Sequence, residues 1–179
     1  MPFVKRWLKA CLSVLMLLLA GYATASEKEQ AIKAGFLFNF ARYSEWLAPA
    51  TPLGYFKLCS PDLEFVDKAA WVLHEHTVHD LPIRVSLVDL NSLDINQCNL
   101  LFVSSSFYQQ WLGVDKSLLS NTMLVGEDEE FIHQGGHIRF FLLGGKVRFA
   151  ISPDALNKAN IVMSSKVLRL SRIVKEEQP

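Results

Sequence analysis

The sequence lacks most of the features that announce a chemistry. No run of lysine and arginine interleaves with aromatic residues, which argues against nucleic acid as a partner. No G-x-G-x-x-G lies between a strand and a helix; Gly135-Gly136 and Gly144-Gly145 are isolated pairs that turns and bulges explain. Ser104-Ser105-Ser106 stands where a nucleophilic serine can sit, after a strand and before a helix. The G-x-S-x-G elbow is missing, however, and helix capping accounts for the run. No pair of carboxylates and no cysteine–histidine pairing stands out, so no catalytic residue and no cofactor is assigned. Beyond the N-terminal segment there is no apolar run of spanning length and no internal repeat.

That N-terminal segment has three parts. Lys5, Arg6 and Lys9 are basic, Cys11 to Ala20 is apolar, and Ala23-Thr24-Ala25 is a triplet of small residues. This is the build of a secretory signal peptide, with cleavage expected after Ala25. The apolar core is too short to cross a hydrocarbon layer of about 30 Å as a helix. The remaining chain of about 154 residues suits one domain. It carries fifteen basic and eighteen acidic residues, a net charge of about −3. An exported, non-spanning domain over 26–179 is the expectation.

Cysteine is scarce as well. Cys11 leaves with the signal segment, so only Cys59 and Cys98 remain. Two cysteines in an exported chain suggest one disulfide, with two buried free thiols as the alternative. Cys59 closes one predicted strand and Cys98 opens another. In parallel neighbours of equal register those ends lie too far apart for a bond that needs Cα atoms within about 7 Å. A register offset reconciles the two.

Ser26-Glu27-Lys28-Glu29 reads as a capping box. The helix it opens runs to about Trp46, with Ile32, Phe36, Phe40 and Tyr43 on one face, Leu37, Phe38 and Trp46 widening it, and Pro49 and Pro52 ending it. A strand at Tyr55 to Cys59 and a helix from Pro61 to Leu73 follow. Further strands are expected at Ile83 to Val88, Leu100 to Val103 and Met123 to Val125, with a helix over Ser104 to Leu112. The clearest local signal is a hairpin about Gly144-Gly145. It pairs Leu142 with Val147, Phe140 with Phe149 and Ile138 with Ile151 on an apolar face, and puts Arg139, Lys146 and Arg148 on the other. Ser152-Pro153-Asp154 opens a last helical region reaching Val174, with a break at Asn160. The alternation predicts an α/β fold: a single three-layer domain with a mixed sheet flanked by helices.

Two polar clusters remain. HEHTVHD, residues 74–80, packs three histidines and two acids into seven positions. His74 and His76 diverge on a helix and His79 falls in a turn, so the stretch reads as a solvated linker, with no metal site assigned. Glu127-Asp128-Glu129-Glu130 lacks calcium-loop spacing and reads as a solvated loop. Trp71, Phe107, Tyr108 and Trp111 suit either a core or a binding surface.

Several stretches taken together resemble the YfiR-like family of periplasmic regulatory proteins. They are Ala31-Ile-Lys-Ala-Gly-Phe-Leu-Phe-Asn-Phe-Ala-Arg-Tyr-Ser-Glu-Trp46, Lys57-Leu-Cys59, Thr77-Val-His-Asp-Leu-Pro-Ile-Arg-Val85 and Cys98-Asn-Leu-Leu-Phe-Val103. Gly135-Gly-His-Ile-Arg-Phe140, Lys146-Val-Arg-Phe-Ala-Ile151 and Ser164-Ser-Lys-Val-Leu-Arg-Leu170 complete the ordered set. The resemblance favours the Cys59–Cys98 disulfide. It implies a non-enzymatic periplasmic protein that binds the periplasmic part of an inner-membrane signalling enzyme, a diguanylate cyclase, and lowers cyclic-di-GMP. The rival expectation is a periplasmic small-molecule-binding accessory for envelope sensing or uptake. Contact residues and homo-oligomer formation are left open.

Overall fold

The structure, a computed structural model, describes residues 27–47 and 54–175. The expected signal segment, the Ser26 cap, Pro49 and Pro52 lie outside the described residues. The described residues open with helix α1 (27–42) and a short strand β1 (Ser44–Trp46). Next come β2 (Phe56–Ser60), helix α2 (Leu63–Val72), β3 (Thr77–Val78) and β4 (Leu81–Leu87). A 3₁₀ turn at Leu93–Gln97 leads into β5 (Leu100–Val103), and α3 (Tyr108–Leu112) precedes β6 (Met123–Gly126). The hairpin β7 (Ile138–Leu143) and β8 (Lys146–Ile151) is followed by α4 (Pro153–Lys158), β9 (Ile161–Met163), α5 (Ser165–Leu168) and β10 (Arg172–Ile173).

Eight strands form one mixed sheet in the order β10-β8-β7-β6-β5-β2-β4-β3. Five neighbours, β4-β2-β5-β6-β7, are parallel. β3, β8 and β10 extend the two edges, β3 and β8 each antiparallel to the strand it flanks. The first crossover packs α2 on one face of the sheet, and the later ones pass over the other face. Right-handed crossovers require this change of face when the chain reverses its direction across the sheet. The reversal falls between β2 and β5.

Two cores follow from the two faces. Leu58, Leu100, Phe102, Val125, Ile138 and Phe140 point to the face covered by α1, α2 and α4. Cys59, Leu101, Val103 and Leu124 point to the other, covered by Trp111 of α3, Ile95 and Phe131. Trp111 is therefore core, whereas Trp71 is exposed on α2. This is the single three-layer α/β domain expected, with one layer built mainly of short turns and loops.

The hairpin register matches expectation: Leu142 pairs with Val147, Phe140 with Phe149 and Ile138 with Ile151. Both turn glycines have positive φ, 58° and 70°, the backbone of a two-residue type I′ turn. Elsewhere tertiary pairing overrides local pattern. The first helix stops at residue 42 rather than Trp46, because Ser44–Trp46 pairs antiparallel with Ile161–Met163. Leu37 and Phe40 of the expected face are buried and Phe36 and Phe38 pack against them, but Ala34 and Ala41 join the core while Ile32 and Tyr43 are exposed. The small alanines let the helix lie close to the sheet. Asn160, at φ 57°, does break the last region, but the chain beyond it forms β9, the short α5 and β10 instead of a second long helix.

Candidate functional site

In open parallel sheets, ligand sites form in the crevice outside the carboxyl ends of the strands where the order reverses. Here that place lies beyond Ser60 of β2 and Val103 of β5. Four segments send polar side chains to it. Asp62 caps α2, with its Oδ1 accepting from Phe65 N at 3.3 Å. Its other carboxylate oxygen accepts from Ser104 Oγ at 2.6 Å. Glu127, just past the end of β6, accepts from both the backbone N and the hydroxyl of Ser105, each at 2.9 Å. Lys33 of α1 reaches down between two carboxylates, 2.5 Å from Glu29 and 2.5 Å from Glu127.

Lys33 is buried in the fold. Burial alone would lower its pKa; hydrogen bonds and charge from Glu127 and Glu29 outweigh that and hold it above the usual lysine value. A buried cation so paired is costly to strip of one partner, because the remaining charge is left uncompensated. The cluster latches α1 onto the carboxyl edge of the sheet. A cleft of about 340 Å³ opens between it and the β7–β8 hairpin, with Arg139, Phe141, Leu142 and Val147 on the far wall. That size is at the lower end for a small-molecule site. Because Lys33, Glu127, Ser105 and Ser104 are already committed to one another, the arrangement suits holding a surface or a ligand in place.

Several sequence readings change here. Ser104 occupies the residue before a 3₁₀ turn, Ser105–Phe107, but its hydroxyl makes no cap bond; Asp62 takes it instead. The acidic run is not wholly solvated, since Glu127 turns inward onto Lys33 and Ser105. The sequence reading gives Lys33 and Asp62 no site role and takes Glu127 only as part of the acidic run, although Glu29 and Lys33 stand at i,i+4 on one helix face, a readable pairing signal. Asp62 and Glu127 had none, because their partners lie far along the chain.

The histidine stretch forms a small hairpin and not a linker. His79 and Asp80, both at positive φ, make the turn between β3 and β4. His79 Nε2 donates to Ser44 O at 2.8 Å, His76 sits edge-on to Phe38, and His74 is exposed. The three point to different surroundings. No group of three or more histidine, cysteine or acidic residues is placed to hold a metal ion among the described residues.

Cys59 and Cys98 are joined by a disulfide, with Cα atoms 5.9 Å apart. The register is offset: Leu100, the first residue of β5, pairs with Leu58 in the middle of β2. Cys98 also ends the Leu93–Gln97 turn beneath the same sheet face that Cys59 enters. The bond thus ties together the two strands between which the sheet order reverses. Thr122 Oγ1 donates to Cys98 O at 2.8 Å and secures the approach to β5.

His137 immediately precedes β7. It is buried, and its Nδ1 accepts from Leu124 N at 3.1 Å, which requires a neutral ring. Burial lowers its pKa to about 4. Between the ordinary histidine pKa of 6.5 and about 4, the unfolded chain binds a proton that the folded chain refuses. Stability from this group therefore falls as pH falls through that window, by about 3 kcal/mol when complete. Urea unfolding at about pH 7.5 and about pH 4.5 should show the loss, and His137→Asn should flatten it. An unchanged pH slope in that variant would remove His137 from the account.

A family model described as YfiR/HmsC-like matches residues 30–172. No curated protein matches the chain.

Proposed function

We propose, since the chain belongs to the YfiR/HmsC-like family, that it is a periplasmic regulator of cyclic-di-GMP signalling. It acts by binding the periplasmic portion of a membrane-bound diguanylate cyclase and holding its output down, without chemistry of its own. The observation that carries this reading is the family match, which takes in both cysteines, the Lys33–Glu127 latch and the hairpin. A buried disulfide suits an oxidising compartment. Residues 1–25 are the export signal in this reading, and residues 26–179 form the mature domain.

A second reading has one feature in its favour: the cleft of about 340 Å³ beside the latch is large enough for a small ligand. The two separate in the native host. Deleting the gene should raise cellular cyclic-di-GMP, and restoring the exported chain should reverse the rise, whereas a chain lacking residues 1–25 should not. Cyclic-di-GMP that stays level across growth conditions would leave the ligand-binding accessory as the better reading.

A further inference from the structure

The β7–β8 hairpin runs past the end of β6. β6 pairs with β7 only through Val125↔Ile138 and Gly126↔Arg139, so four further residues of β7 project beyond the sheet edge. At the tip, Leu142 is 58% and Leu143 60% exposed. Successive strand residues face opposite ways, so these leucines make both faces of the tip apolar. Behind them, one face of the ribbon is basic. Lys146 pairs with Leu143, Arg148 pairs with Phe141, and Arg139 and Arg172 flank Ala150 on either side. The guanidinium groups of Arg139 and Arg172 lie 5.4 and 4.8 Å from the centre of the Phe141 ring. None of these four cations forms an ion pair among the described residues. The patch is positive on a chain whose expected exported form is net negative.

We propose that this hairpin docks the protein on an anionic phospholipid surface, its Leu142–Leu143 tip entering the interface while Lys146, Arg148, Arg139 and Arg172 engage headgroup phosphates. The spacing fits. Interfacial elements bury their apolar part about 5–10 Å deep. At about 3.4 Å per residue, Arg148 sits about 7 Å behind the tip and the Arg139–Arg172 row about 14 Å behind it. With the leucines in the acyl boundary, Arg148 lies at phosphate depth, Lys146, level with Leu143, extends its flexible chain back to the same phosphates, and the outer arginines face the surface. An acidic protein partner would satisfy the cations equally well. It would meet one face of the ribbon, however, and leave the leucine on the other face in water. A medium apolar on all sides accepts both.

This docking stands apart from the regulator reading, and its test does not depend on a cyclase. The full exported chain, disulfide intact, is sedimented with vesicles of phosphatidylcholine mixed with phosphatidylglycerol, and with phosphatidylcholine alone. Binding to the anionic vesicles alone, weakened by salt, is the expected result. Each basic residue near such a surface is worth about fivefold, so Lys146→Gln/Arg148→Gln should weaken binding about thirtyfold. Leu142→Ser/Leu143→Ser should weaken it about tenfold or more. Circular dichroism and thermal midpoints should match the parent, since both pairs of residues are largely exposed. Failure to bind anionic vesicles overturns the proposal, as does equal binding to the neutral ones. Full retention of vesicle binding by the leucine variant would overturn entry of the tip into the interface. A parent dimer that the leucine variant converts to monomer, with no vesicle binding, would assign the tip to a second copy of the chain.

Discussion

Replacing Cys59 and Cys98 together by alanine should destabilise the folded chain by about 4 kcal/mol. The bond spans a sequence separation of 39 and closes a loop holding α2, β3 and β4. Without it the unfolded chain regains the freedom that loop closure removes, and the stated cost is that entropy. Folded domains are typically stable by only 5–15 kcal/mol, so this loss is a large share. Both cysteines are almost fully buried, at 0% and 2% exposure. A thiolate reductant must reach a sulfur to attack it, so reduction should wait on opening of the β2–β5 pair. Dithiothreitol should therefore reduce the native protein slowly, and at a rate that urea accelerates. Urea midpoints of the parent and the double variant measure the stability term. A difference below about 1 kcal/mol would mean that the bond constrains the unfolded chain far less than loop closure requires. Fast reduction in native buffer would instead reveal a pair accessible enough to exchange.

Gly136→Ala should be the second large loss, about 3 kcal/mol. The Phe131 ring lies between the α-carbons of Gly126 and Gly136, and a Cβ at either glycine would overlap ring atoms. At Gly136 the clash includes the Phe131 carbonyl oxygen, 2.7 Å from the added carbon, and backbone cannot swing aside as a side chain can. The Gly136 N–H already donates to that same oxygen at 2.9 Å, so relieving the clash would break the bond. At Gly126 the nearest atoms to an added Cβ are all of the Phe131 ring, and that ring is held against Trp111, with centroids 5.0 Å apart, in the second core. Pairing Gly136→Ala with Phe131→Leu should return part of the loss, and a double-mutant cycle measures how much. Gly136→Ala as stable as the parent would show that the loop 127–137 accommodates the extra carbon.

These glycines illustrate what local reading recovers and what it cannot. Gly135-Gly136 looks like any glycine pair suited to a turn or a bulge. Gly135, at φ 88°, does serve one. Gly136 is needed because a phenylalanine five residues earlier folds back onto its α-carbon, a contact that no periodicity encodes. The acidic run shows the same limit. Glu127 looks no different from Glu129 and Glu130 until α1 delivers Lys33 to it.

Wherever a few consecutive residues settle the matter, the sequence alone determined the outcome. Two glycines with positive φ fix the β7–β8 turn, and the alternation on either side then fixes its register, because a one-residue slip would turn its apolar face to water. Ser152 and Pro153 start a helix by cap chemistry contained in one turn. The α/β alternation and the change of structure at Asn160 are legible for the same reason. Tertiary structure alone decided the rest: the end of α1, taken over by pairing with β9, the offset that brings Cys98 beside β2, and the latch at the carboxyl edge. Capping, turn and periodicity preferences act over a few residues and are weak. Strand pairing, disulfide closure and charge burial join residues dozens of positions apart, and their energies are large enough to override those preferences once the chain has closed on itself.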